Sequence, residues 1–126
     1  MATDPELLDH VLDLFSGLGR ITTGRMFSGT SLYVDGDVMF ATILRGTVWM
    51  KSDTSTEAAY LSAGATPFTY DRQTGPREAR SLMSLPDSAL DDADEALSWA
   101  RMSLPPARSA AEAKRLQKAR KARASG

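Results

Sequence analysis

The sequence predicts an α+β domain, an antiparallel meander-type β-sheet packed against an N-terminal and a C-terminal helix. Apolar residues near both ends of the chain recur at helical spacing, and the stretch between them falls into short β-type runs separated by turn residues. A length of 126 residues suits one hydrophobic core rather than two.

The first helix is expected to begin near Pro5. Thr3-Asp4-Pro5-Glu6 reads as the start, because a short oxygen-bearing side chain can cap free N–H groups there and proline at the first helical position gives up no hydrogen bond. Leu7, Leu8, Val11, Leu12, Leu14, Phe15 and Leu18 then repeat at helical spacing while Glu6, Asp9 and Asp13 point away, and Gly17 and Gly19 supply an ending. Strands are expected near 21–27, 30–34, 38–44 and 47–51, with tight turns at Asp35-Gly36-Asp37 and Arg45-Gly46. Ser52-Asp53-Thr54-Ser55 reads as the start of a short helix over 56–63 that closes at Gly64. A strand over 66–72, a turn at Thr74-Gly75-Pro76 and a returning strand over 79–85 follow, the last stopped by Pro86. A second long helix then opens at Asp87 or Ser88, with Leu90, Ala93, Leu97, Ala100 and Leu104 as its apolar stripe. Pro105-Pro106 should end it, because proline lacks the N–H and restricts the residue before it.

That stop divides the chain into a body, residues 1–106, and a tail, residues 107–126. The tail holds seven basic residues against Glu112 alone, a net of +6, while the body sums to −7, so the whole-chain charge of −1 conceals two electrostatically different parts. Leu116 is the tail's only large apolar residue, which predicts a solvated, mobile segment, helical by propensity at most.

The chemical inventory is thin. There is no cysteine and one histidine, so thiolate nucleophiles, disulfides and sulfur-ligated zinc are excluded, and a reducing cytoplasm is the expected compartment. His10 falls on the polar flank of the first helix among carboxylates, where a surface role outweighs that of a base or ligand. The glycines between Gly17 and Gly29 lack the lysine of a phosphate loop and run into strands, and Asp91, Asp92, Asp94 and Glu95 sit where a helix dipole favours negative charge. No catalytic residue, metal or cofactor is expected, and no apolar run reaches the roughly 18 residues of a membrane span.

Arg25-Met26-Phe27-Ser28-Gly29, Leu32-Tyr33, Met39-Phe40-Ala41, Trp49-Met50-Lys51, Pro67-Phe68-Thr69-Tyr70, Leu85-Pro86 and Trp99-Ala100-Arg101 together resemble the TfoX N-terminal domain family (TfoX/Sxy-like) over about residues 5–104. Departures from the family pattern are Ser28, where glycine is usual, and Leu82 and Met83, where aromatics are common. The resemblance implies a small α+β fold, no enzymatic activity, and a regulatory role. In the founding members this domain sits beside a C-terminal helical domain and regulates natural competence together with a cyclic-AMP-dependent activator. This chain is expected to be a stand-alone domain without that helical domain.

Partner-binding candidates follow from residue type and position. Arg25, beside Met26 and Phe27 at a strand end, must reach solvent or a carboxylate, with an ion pair ahead of ligand binding; Trp99 and Met102 fall off the apolar stripe of the last helix, as interface residues can. Lys114, Arg115, Lys118, Arg120, Lys121 and Arg123 are the nucleic-acid candidates, suited to phosphate but without the interleaved aromatics that stack on single strands. The sequence thus predicts a non-enzymatic regulatory or adaptor protein that binds an unidentified protein or a second copy of itself. The alternative is a small nucleic-acid-associated protein acting through the tail.

Overall fold

The computed structural model describes residues 4–26 and 29–125. Helix α1 spans Pro5–Leu14, and the Asp4 side chain accepts a hydrogen bond from the Glu6 N–H at 3.3 Å, as expected of a cap. A single 3-10 turn, Ser16–Leu18, leads into strands β1 (Thr22–Met26), β2 (Gly29–Val34), β3 (Val38–Leu44) and β4 (Thr47–Lys51). The connection from β3 to β4 is a two-residue turn in which Arg45 and Gly46 both take positive φ, 52° and 78°, the geometry that matches strand twist. After helix α2 (Glu57–Ser62) come β5 (Pro67–Arg72) and β6 (Gly75–Ser84), a second 3-10 turn at Asp87–Asp91, and helix α3, Ala93–Ser125.

All six strands form one antiparallel sheet in the order β1-β2-β3-β4-β6-β5. The last two are exchanged relative to a simple meander. β6 carries Met83, which is fully buried and pairs with Met50, so the inner end of β6 joins the core and β5 becomes the edge.

The helices cover one face of the sheet. Leu32, Ala41, Ile43, Val48, Met50 and Met83 point to that side and close the core with Val11, Leu14 and Phe15 from the N-terminal end. A bulge in β2–β3 turns Phe40 inward as well, edge-on to Phe15 with ring centroids 5.3 Å apart. Helix α3 lies against β3 and β4 through Ala96, Ala100, Ser103, Ala107 and Ala111, and these small side chains let its backbone come close to the strands. Gly17 serves the same closeness at the helix start, since a Cβ there would sit 2.8 Å from Leu97 Cδ1.

Three expectations about the C-terminal helix are corrected. It does not stop at Pro105-Pro106 but runs through both prolines to Ser125. Proline's fixed φ suits a helix, and the two carbonyls left without a donor belong to Arg101 and Met102, both exposed and open to solvent. Nor does the interior end at residue 106, because Ala107 and Ala111 belong to the core at 1% and 4% exposure. The buried stripe is also rotated from the expected one. Ala93 is exposed and Leu90, Leu97 and Leu104 are half-buried, so small residues make the contact and leucines flank it. The body therefore extends to Ala111, and from 112 to 123 every residue except Ala119 is exposed.

Candidate partner-binding surfaces

The face of the sheet opposite the helices carries no helix among the described residues. Across its middle runs the paired row Gly24, Ser31, Thr42, Trp49 and Ser84, polar or small apart from the tryptophan. Ser31 and Thr42 are fully buried with their hydroxyls 3.5 Å apart, and Thr42 donates to the Thr30 carbonyl at 3.2 Å.

From Trp49 an aromatic ladder continues onto the edge. Phe68 meets Trp49 edge-on at 5.1 Å, Tyr70 stacks beside Phe68 at 6.4 Å, and the Arg72 guanidinium lies 5.6 Å from the Tyr70 ring centre. Alternation along β5 puts residues 68, 70 and 72 on one side, while Ser84, paired with Trp49 on the strand between, is small enough for the rings to meet. The Trp49 Nε1 is buried and finds no hydrogen-bond partner among the described residues. Tyr70 is 37% exposed. β6 pairs with β4 only over Leu82–Ser84, so the outer part of the β5–β6 hairpin stands beyond the sheet as a two-stranded ribbon. Arg80 on that ribbon lies 3.4 Å from Glu78 and is salt-bridged to Glu57 of α2, a contact between the ribbon and the body.

The sequence-predicted residues do not form one cluster. Arg25 is exposed on the opposite edge strand, paired with Thr30, and has no carboxylate partner among the described residues. Phe27 lies outside the described residues. Trp99 is committed to internal packing: it stacks on Tyr60 at 4.5 Å and its Nε1 donates to Glu95 at 3.3 Å. Met102, nearby on α3, is 37% exposed. Beneath Trp99 the Tyr60 hydroxyl donates to the Trp99 carbonyl at 3.2 Å and therefore accepts from Ser103 at 2.6 Å. Burial pushes the Tyr60 hydroxyl up to about 12, against the smaller opposite pull of that Ser103 bond.

The basic residues occupy the outer part of α3. Arg108 and Arg115 reach back to the β2–β3 turn, 3.6 Å from Asp35 and 2.5 Å from Asp37. Lys114, Lys118, Arg120, Lys121 and Arg123 are exposed. Lys51 at the end of β4 is half-buried and held below the usual lysine range, first by burial and then by the charge of Lys114.

No group of three or more metal-ligating side chains comes together among the described residues. His10 is taken up in structure, its Nε2–H donating to the Leu90 carbonyl at 2.6 Å and so joining α1 to the turn before α3. An open cleft of about 350 Å³ is lined by Leu18, Gly19, Arg20, Thr22, Val34, Asp35 and Gly36, and its one carboxylate already faces Arg108. No helix among the described residues is long and apolar enough to cross a membrane.

The model of the TfoX N-terminal domain matches residues 13–107, about three quarters of the chain. The chain belongs to the TfoX N-terminal domain family. No curated protein matches it. The matched segment of this TfoX N-terminal domain protein contains all six strands and the aromatic ladder, and it ends within α3, so the cationic stretch beyond Ala107 lies outside it.

Proposed function

We propose that this TfoX N-terminal domain protein is a cytoplasmic, non-enzymatic regulator that works by binding another protein through the helix-free face of its sheet. The observation that carries the proposal is the Trp49–Phe68–Tyr70–Arg72 ladder. Aromatic and arginine side chains on one partly exposed surface are the residue types that anchor protein interfaces, and the neighbouring edge strand β5 offers backbone groups beside them. Family membership supports the regulatory role, and competence is the first setting in which to look for the partner. The use of the lone histidine as an inter-element clasp supports binding over catalysis.

Site-specific photo-crosslinking in cells tests this reading. A photoreactive phenylalanine analogue in place of Tyr70 should give a discrete adduct with one protein, and the same analogue in place of Ser109, exposed on α3, should not. Equal crosslinking from both positions, or none from position 70, would remove the proposed surface.

A further inference from the structure

The small-residue stripe that seats α3 on the sheet, Ala100, Ser103, Ala107 and Ala111, continues at the same three- and four-residue spacing as Lys114, Lys118 and Lys121. The helix face that is packing surface up to Ala111 is therefore a lysine face beyond it. From Ala111 to Ser125 the helix covers about 20 Å at 1.5 Å per residue, and its first turn is aimed by Arg115, held to Asp37. Lys114 and Lys118 have no carboxylate partner among the described residues. Lys51 stands near the root of this arm, also without an acceptor among them, close enough for the charge of Lys114 to act on it. Beyond Ala111 the arm carries Lys114, Arg115, Lys118, Arg120, Lys121 and Arg123 against Glu112 alone, so positive charge is in excess along it, and an external polyanion relieves the resulting repulsion.

The composition of the arm narrows the polyanion. A protein partner needs an apolar centre to its interface, and a membrane surface needs an apolar helix face to enter it, yet beyond Ala111 the described side chains offer Leu116 as the one large apolar group. A nucleic-acid backbone needs only positive charge and reach. With no aromatic in the arm to stack on bases, the duplex, with its higher charge density, is favoured over a single strand.

We propose that α3 beyond Ala111 is a nucleic-acid-binding arm, in which Lys114, Lys118 and Lys121, with Lys51 at the root, neutralise backbone phosphates without reading base sequence. The inference is independent of the helix-free sheet face. It makes this chain a family domain carrying an added electrostatic tether, since the arm lies outside the matched segment.

Fluorescence anisotropy of the full chain with a labelled 20-base-pair DNA duplex, across a salt series, tests it. Four phosphate contacts predict a slope of log affinity against log salt of about −3.6, and the triple variant Lys114→Gln/Lys118→Gln/Lys121→Gln should bring it to about −0.9. At low salt the triple variant should also bind at least about tenfold more weakly, whereas Arg25→Gln should bind within about twofold of wild type. Glutamine keeps the helix propensity, so unchanged circular dichroism separates lost charge from lost fold. The proposal is overturned by absence of saturable binding at low salt, or by a triple variant that binds as wild type does. It is also overturned if phosphatidylserine vesicles take up the protein and duplex DNA does not compete. Salt-sensitive self-association in sedimentation velocity, abolished by the triple variant while DNA binding persists, would reassign the arm to the acidic end of a second copy. Each of these can fail while crosslinking from position 70 succeeds.

Discussion

On its helix-covered side the sheet presents Leu32, Phe40, Ile43, Met50 and Met83, all at 1% exposure or less, while the same strands turn Ser31, Thr42 and Trp49 to the other side. The first set is continuous with two helices; the second leads outward to Phe68, Tyr70 and Arg72 on an edge strand. Alternation along each strand sends neighbouring residues to opposite fates, so adjacent positions such as Trp49 and Met50 answer to different demands. Met50 is fixed by packing. Trp49 is fixed by packing on one side only, and the residues it touches reach the surface. The comparison assigns stability to one face and leaves the other to the recognition role proposed for it.

The strongest way to break that assignment is to empty the covered face. Phe40→Ala should cost about 3–5 kcal/mol in urea unfolding, because it removes a fully buried ring and its contact with Phe15. A loss below about 1.5 kcal/mol would mean that the core lies elsewhere. Next in size is Tyr60→Phe, which strips the Ser103 hydroxyl of its partner inside the helix-covered interior and should cost about 1–3 kcal/mol; adding Ser103→Ala should recover much of it. The same tyrosine gives a pH signature. Its hydroxyl is raised above the unfolded value, so its contribution is whole below about pH 10 and fades as pH climbs through about 12. Wild type should lose more stability across that window than Tyr60→Phe, and equal losses would show that Tyr60 is not the group responsible.

On the other face Tyr70→Ala should change stability by less than about 1 kcal/mol, the worth of one partly exposed ring and a cation–π contact, while abolishing capture of the proposed partner. A large loss of stability would turn the ladder into a second core. Smallest of all is Arg115→Gln. The exposed pair with Asp37 should contribute about 0.2–1 kcal/mol, and the difference from wild type should vanish at high salt.

Much of the covered face was legible in the sequence, because period-two and helical repeats write burial directly into residue order. The first four strands fall within about two residues of expectation, and Asp35-Gly36 and Arg45-Gly46 turn where their residue types say they should. The ladder was hidden for a different reason. Phe68, Tyr70 and Arg72 alternate visibly, yet their link to Trp49 depends on β6 entering between β4 and β5, a long-range choice that no local pattern encodes. The prolines misled for a third reason: their local penalty is real, but two deprived carbonyls at an exposed helix face weigh less than the burial of Ala107 and Ala111 that follows. An alanine at helical spacing reads as filler when leucines are near. In this fold it is the alanines that touch the sheet.

Helix α3 carries one more implication. A free peptide of residues 112–125 would have to form its own first turn in water, and at that length an isolated helix is marginal. Here that turn is supplied ready-made by the packed segment before it, so the same residues are helical by inheritance. A loosening of α3 from β3 and β4 would therefore unwind the outlying turns without touching them, and circular dichroism of the severed peptide beside the intact chain would show how much order is borrowed.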